Sequence, residues 1–166
     1  MCKKTLRSAI KFIQDSARKN HFAKHTFDHD GLLYTVDGYQ ILRTVEDFDD
    51  VEIVDVDKEW KEKTEGLFEN EFAREETEYE SPDYKELSRK IKELNAKSAR
   101  VGYAIAPNIL VNAKYLVNAL KATGAKQMCA AGMRKPVIFY GEDTQYLLLP
   151  INNYGNLVAG ELEILD

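Results

Sequence analysis

The 166-residue sequence has few of the residues on which several classes of protein depend. Its two cysteines, Cys2 and Cys129, are too few for a disulfide framework or a four-ligand zinc site, which favours a reducing compartment. The longest strongly apolar run, residues 146–151, is far shorter than the roughly 18 residues that a membrane span requires. The N-terminus alternates charged and apolar residues, unlike a signal peptide. These absences predict a soluble, cytoplasmic protein that does not contact a membrane.

The sequence patterns of common catalytic sites are also missing. There is no glycine-rich phosphate loop and no Gly-x-Ser-x-Gly elbow. His21, His25 and His29 recur every four residues, a spacing that would bring their imidazoles together on a helix. The turn residues at 28–31 indicate that the helix has already ended, and no acid or cysteine completes a convincing ligand set. We therefore predict no catalytic residues, no metal site and no cofactor.

Charge is abundant and segregated along the chain. Residues 1–24 carry seven basic side chains and one acid, whereas residues 46–80 carry sixteen acids and four bases. Residues 81–100 are basic again, with six bases and three acids. The net charge of −5 conceals these blocks. Because local potential governs contact with phosphate, an acidic protein with one basic helix can still bind nucleic acid.

Apolar residues at helical spacing predict a first helix over about residues 4–20. They are Leu6, Ala9, Ile10, Ile13 and Ala17. At 100° per residue, the opposite face of this helix carries a basic stripe of Lys4, Arg7, Lys11 and Arg18. A solvated lysine face is the ordinary explanation of such a stripe, so a second feature is needed before it indicates binding.

Turn residues and period-two alternation predict several strands. Asp37 and Gly38 separate the apolar run 32–36 from the run 39–43, which is a strong hairpin signal. Residues 51–56 alternate in period two and predict another strand. The remaining strands are predicted over residues 101–110, 127–131, 136–140, 145–150 and 157–165.

A charged insertion is predicted over about residues 58–100. Residues 58–80 are rich in glutamate and favour a solvated helix or arm. The apolar anchors of this arm are Trp60, Leu67, Phe68 and Phe72. Ser81 as N-cap and Pro82 in the first turn predict a helix to about Ser98. After the insertion, Asn112 caps a short helix that ends at Gly124.

Three C-terminal segments, taken in order, resemble a known family. Residues 112–122, 132–138 and 146–151 resemble the last helix and the closing strands of the bacterial DNA sliding clamp, the DNA polymerase III beta subunit. Residues 34–42 resemble the Ala-Thr-Asp-Gly hairpin that recurs in this family after a helix. The resemblance implies an α+β fold: a single clamp-like domain over residues 1–166, with two helices packed side by side on antiparallel sheets.

The resemblance also implies contact with duplex DNA. In the family, the paired helices of each domain face DNA through lysines and arginines. The corresponding stripe here is Lys4, Arg7, Lys11 and Arg18 on the first helix, with Lys114, Asn118 and Lys121 on the last helix. Such contacts are made to phosphate, carry no sequence readout and weaken steeply with salt.

The second activity of the family is the binding of short peptide motifs of polymerases and repair proteins in an apolar groove. By alignment with the family's motifs, the hairpin and the closing strand would line this groove. The residues are Val36, Gly38, Tyr39, Gln40, Ile41, Leu147, Leu149, Pro150 and Ile151. In the three-domain clamp these two motifs come from neighbouring domains, so here the groove would form within one chain or across an interface. The alternative is that Leu147 and Leu149 are half-buried strand residues.

Two functional hypotheses follow from the sequence. The first is a noncatalytic, clamp-like protein of a phage or mobile element, which contacts DNA nonspecifically through its basic helix face. The second is a protein-interaction module that has the peptide groove and does not encircle DNA. A ring of one-domain subunits would need about six copies in head-to-tail contact. Since the insertion and the C-terminal tail offer material to cover strand edges, we predict a monomer or a dimer.

Overall fold

The computed structural model describes residues 2–45, 47–72, 76–94, 100–153 and 155–165, with the side chains of residues 71 and 72 left out. This part of the chain contains four helices: α1 (Lys3–Lys19), α2 (Lys58–Phe72), α3 (Tyr84–Glu93) and α4 (Ala113–Thr123). It also contains ten strands. These are β1 (Thr26–His29), β2 (Leu32–Val36), β3 (Gln40–Thr44), β4 (Thr77–Glu80), β5 (Arg100–Ala106), β6 (Ile109–Asn112), β7 (Gln127–Ala130), β8 (Val137–Tyr140), β9 (Thr144–Leu148) and β10 (Leu162–Leu165). None of the helices in the described ranges combines the length and apolar composition needed to cross a membrane.

The strands form two antiparallel sheets. The larger sheet has the order β1-β2-β3-β9-β8-β7-β4, and the smaller has the order β10-β5-β6. In the larger sheet, β3 pairs with β9, which places Ile41 opposite Leu147. This pairing joins the predicted hairpin of residues 32–43 directly to the predicted closing strand.

Helices α1 and α4 pack side by side against the larger sheet, as the sequence predicts. Phe12 of α1 meets Tyr115 of α4 edge to face, with 5.8 Å between ring centroids. Asn118 Nδ2 donates a hydrogen bond to the carbonyl of Ala9 at 3.1 Å. The predicted caps of α4 are also present: the Asn112 side chain accepts from two backbone amides, and Gly124 ends the helix with φ of 66°. The α+β prediction of two helices on antiparallel sheets is confirmed.

The insertion contributes to three parts of this fold. Phe68 of α2 is fully buried in a cluster with Phe27 and Tyr34 of the first hairpin. Strand β4 pairs with β7 and extends the larger sheet by one edge strand. Helix α3 packs on α4 through Leu87 and Ile91. The insertion is therefore packed into the fold more closely than the solvated arm that its composition suggested. The side chain of Phe72, the fourth predicted anchor, lies outside the described part of the structure.

Several predicted boundaries are wrong for local reasons. Residues 51–56 form no strand. The Glu52 carbonyl accepts from the Gln14 side chain of α1, and the Val54 amide bonds to the Thr26 carbonyl of β1 without a continuous ladder. Residues 101–110 form two strands, since Pro107 and Asn108 make a turn between β5 and β6. The N-cap of α3 is Asp83, whose carboxylate accepts from the amides of residues 85 and 86. Helix α3 ends at Glu93, and residues 95–98 of the predicted helix lie outside the described part of the chain.

The tail forms a shorter strand than its sequence suggests. Strand β10 covers only Leu162–Leu165, because the preceding residues turn at Gly160 and bond to Ala104.

The first turn of the chain is also shorter than its composition suggests. Asp28 and His29 belong to β1, and the turn is made by Asp30 and Gly31, both with positive φ. A two-residue turn with two positive φ values is the type I′ geometry that suits an antiparallel hairpin.

Candidate functional site: an apolar groove and a basic helix face

One apolar groove brings together most of the residues predicted to bind peptide. Its volume is about 180 Å³. The lining residues are Phe22, Val36, Gly38, Tyr39, Gln40, Ile41, Trp60, Leu67, Pro136, Leu147 and Leu149. Seven of the nine residues predicted from the sequence are in this set. The groove thus forms within a single chain, because β3 and β9 are neighbours in one sheet.

The chain leaves large apolar side chains accessible along this groove. Tyr39 is 53% exposed, Leu67 is 48% exposed and Leu149 is 40% exposed. Leu147 and Ile41, in contrast, are buried beneath them. The position of Leu149 is fixed because its backbone amide donates to the carbonyl of Tyr39 at 2.9 Å. Exposed apolar surface clustered around a concave site is typical of a contact surface for another molecule.

Helix α2 forms one wall of the groove, which the sequence did not predict. Trp60 packs against Phe22 with 5.9 Å between ring centroids, and Lys24 lies over the indole at 5.2 Å. The buried indole Nε1 has no hydrogen-bond partner among the described residues. The sequence did mark Trp60 and Leu67 as apolar residues in a charged segment, but it gave no signal for the surface that they would join.

Two of the predicted groove residues lie outside it. Pro150 does not line the cavity, and Ile151 instead bridges to Leu110, whose carbonyl accepts from the Ile151 amide at 2.7 Å. The chain therefore leaves the larger sheet after Leu148 and crosses to β6. This change of sheet turns the end of the predicted motif away from the groove.

A buried polar network ties the groove hairpin to α1 and α4. Ser16 Oγ donates to the Asp37 carboxylate at 2.7 Å, and Gln40 Nε2 donates to the same carboxylate at 2.8 Å. The Tyr146 hydroxyl donates to Gln40 Oε1 and accepts from Asn118 Nδ2 at 3.0 Å. Burial raises the pKa of Tyr146 well above its ordinary value, so the hydroxyl stays neutral and can donate. The amide group of Gln40 is thus engaged inside the fold, although Gln40 lines the groove.

The six cationic residues predicted to contact DNA are all exposed. They are Lys4, Arg7, Lys11, Arg18, Lys114 and Lys121. Asn118, which the sequence placed on the same stripe, is 5% exposed, and its amide donates to the Ala9 carbonyl and to the Tyr146 hydroxyl, so it offers no free amide hydrogen to a ligand. The two paired helices therefore present cations on their outward faces, as the resemblance implies.

Two of these cations are paired with acids from the segment that follows β3. Arg7 Nε lies 3.0 Å from Asp50 Oδ2. Arg18 Nη2 lies 2.6 Å from Glu52 Oε2, and its Nη1 lies 3.1 Å from Asp15. Arg7 also stacks over the ring of Phe48 at 5.7 Å. One edge of α1 is therefore neutralised, while Lys4 and Lys11 make no ion pair among the described residues.

His29, Asp30 and Glu65 form a cluster of side chains that could act as metal ligands. The His29 Nε2 atom lies 3.5 Å from a carboxylate oxygen of each acid. The three ligand atoms lie within 4.8 Å of one another. The histidine repeat of the sequence does not form a site, because α1 ends at Lys19 and His21 has a φ of 57°. Glu65 comes from α2, and no sequence spacing connects it with the first hairpin.

Solved structures of bacterial DNA sliding clamps resemble this chain. The Helicobacter pylori beta clamp bound to a DNA ligase peptide has 12% identity and a TM-score of 0.45, with 86% of this chain and 63% of that chain covered. The Caulobacter crescentus polymerase III beta subunit has 13% identity and a TM-score of 0.39, with coverage of 78% and 57%. The Thermotoga maritima DNA polymerase III beta subunit has 12% identity and a TM-score of 0.38, with coverage of 74% and 42%.

These structures belong to the family that the sequence segments also resemble. The chain spans less than two thirds of the length of each of these clamps. No protein-family model matches the sequence, and no curated protein does.

Proposed function

We propose that this protein is a noncatalytic, clamp-like interaction module that binds a short apolar peptide segment of a partner protein in the groove between the β2–β3 hairpin, β9 and α2. The observation that carries this proposal is the gathering of seven predicted peptide-binding residues around one apolar groove. The accessible side chains of Tyr39, Leu67 and Leu149 offer apolar area to a ligand, and the burial of such area favours association. Partners of this kind include replication and repair proteins.

Calorimetry with a peptide that carries a clamp-binding motif tests this proposal. We expect Leu149→Asp to reduce the affinity by at least about tenfold, because a carboxylate would have to be desolvated against apolar surface. Val158→Asp is the matched control, since Val158 is a 61% exposed apolar residue that does not line the groove. Equal affinity of all three proteins for the peptide would overturn the proposal.

Nonspecific contact with duplex DNA is the second function that we propose. It is supported by Lys4 and Lys11 of α1 and by Lys114 and Lys121 of α4, which are exposed and form no ion pair in the described part of the chain. Phosphate contacts of this kind need no sequence readout and release counterions, so binding of fluorescent duplex DNA should fall steeply with salt. An absence of binding at low ionic strength would contradict this function.

A further inference from the structure

Helices α1, α3 and α4 enclose a trough on the outer side of the helix layer. One part of it has a volume of about 540 Å³, and its lining residues are Lys4, Thr5, Ser8, Tyr84, Lys85, Ser88, Lys92 and Lys121. An adjoining part has a volume of about 210 Å³, and its lining residues are Phe12, Ser88, Ile91, Lys92, Lys114, Val117, Asn118 and Lys121. The two parts share Ser88, Lys92 and Lys121, so they form one continuous surface, here named the lysine trough.

The lysine trough has an unbalanced positive charge. Its lining contains Lys4, Lys85, Lys92, Lys114 and Lys121 and no carboxylate among the described residues. None of these five lysines makes an ion pair with a described acid; Lys121 instead lies 6.0 Å from the centroid of the Tyr84 ring. Concave surfaces lined by charges of one sign concentrate their potential on the ligand that enters.

The sequence of α3 produces this imbalance by separating its charges. Lys85, Ser88 and Lys92 are three, four and seven residues apart, so they share the face that lines the trough. Glu86 and Glu93 lie on a different face, where both pair with Arg89. The acids of α3 are therefore occupied away from the trough, together with Lys90, which pairs with Glu86, while Lys85 and Lys92 line the trough.

The spacing of the lysines fits a row of phosphates. Lys114 and Lys121 are seven residues apart on α4, which corresponds to about 10 Å along the helix axis. About three successive phosphates of one nucleic-acid strand span that distance, at 3.4 Å of duplex axis each. The hydroxyl groups of Thr5, Ser8 and Ser88 add hydrogen-bond donors of the kind that often contact phosphate oxygens.

We infer that the lysine trough is the phosphate-binding surface for DNA, and that α3 of the insertion supplies two of its contacts, Lys85 and Lys92. This inference rests on the proposed DNA contact and changes its location. The footprint moves away from Arg7 and Arg18, which are paired with acids, and toward α3 of the charged insertion. The ligand is the sugar–phosphate backbone of DNA, without recognition of bases.

Binding of fluorescent DNA by three full-length proteins, over a series of salt concentrations, tests this inference. We expect the double variant Lys85→Gln, Lys92→Gln to bind about tenfold more weakly than the wild type at low salt. The slope of log K against log salt should also fall by about 1.8 for duplex DNA, because two phosphate contacts are lost. The control is Lys63→Gln with Lys135→Gln, which removes the same charge from exposed positions outside the trough.

The possible outcomes separate the inference from the function on which it rests. If the wild type binds no DNA at low salt, the proposed DNA contact fails together with the inference. If the wild type binds and the α3 variant has the same slope and affinity as the control, the inference alone is overturned. Tighter binding of a polyglutamate peptide than of DNA, lost in the α3 variant, would also overturn it in favour of an acidic protein partner. An unchanged helix content by circular dichroism shows that a loss of binding in a variant does not come from unfolding.

Discussion

Arg18 of α1 and Glu52 of the segment between β3 and α2 form an ion pair in which Nη2 lies 2.6 Å from Oε2. Arg7, about three turns earlier on α1, is paired with Asp50, with 3.0 Å between Nε and Oδ2. The acidic segment therefore runs beside α1 and neutralises the arginines on that edge. Lys4 and Lys11 lie beyond this edge and have no such partners among the described residues.

Neutralising the acids beside α1 should strengthen DNA binding. We expect Asp50→Asn with Glu52→Gln to raise the affinity for duplex DNA about two- to fivefold at low salt, because these two acids would no longer offset the positive charge of Arg7 and Arg18. Fluorescence anisotropy measures this gain. Glu59→Gln with Glu62→Gln on α2 changes the net charge equally and is the control. The same gain in both variants would show that only net charge matters.

Removing the Tyr146 hydroxyl should destabilise the fold. Tyr146→Phe leaves Gln40 Oε1 and Asn118 Nδ2 each with one partner fewer in a buried site, at a cost of about 1–3 kcal/mol in the free energy of unfolding. Urea denaturation followed by circular dichroism gives this value. Tyr103→Phe serves as the control, since no described partner of its hydroxyl is lost, and we expect a change within about 0.5 kcal/mol. Equal losses in the two variants would contradict a role for the network.

Stability should fall at acidic pH because of His25. Burial disfavours the charged imidazole and nearby Arg18 repels it, so the pKa of His25 is lowered from its ordinary value of 6.5. Between the folded pKa and 6.5, His25 binds more protons in the unfolded chain than in the folded one. Its contribution to the free energy of unfolding is therefore complete above pH 6.5 and is lost as the pH falls through the folded pKa.

Denaturation of the wild type and of His25→Gln over a series of pH values tests this dependence. We expect the free energy of unfolding to fall less steeply below pH 6.5 in the variant than in the wild type. His21→Asn is the control, because His21 is exposed and asparagine tolerates its positive φ. A slope unchanged by His25→Gln would assign the acid sensitivity to other groups.

The chain should not assemble into a ring. Strand β4 of the insertion covers β7 and carries Glu78 and Glu80, and β10 of the tail covers β5, so each added segment occupies a strand edge. We expect light scattering at micromolar concentration to give a mass near 19.0 kDa or twice that value. A mass near six times 19.0 kDa would overturn this prediction and favour encirclement of DNA.

Features that depend on near neighbours could be predicted from the sequence. The amphipathic period of α1, the Asn112 cap and the Asp37-Gly38 turn each depend on residues within a few positions of one another. The sequence left open whether the hairpin and the closing strand meet within one chain or across an interface, and the pairing of β3 with β9 decided this. Residues 51–56 show the limit of this approach, because their alternation predicted a strand and the tertiary structure gave them α1 as a neighbour.

The sequence by itself determined the amphipathic helices, the hairpin at Asp37 and the segregation of charge, because each is a property of a short stretch of chain. Only the tertiary structure decided which surfaces these elements form. The Arg7–Asp50 and Arg18–Glu52 pairs join residues 43 and 34 positions apart. The α2 wall of the groove and the α3 wall of the lysine trough likewise depend on which faces of the insertion pack against the sheet and against α4. No local pattern specifies that choice, because burial of apolar surface is not directional.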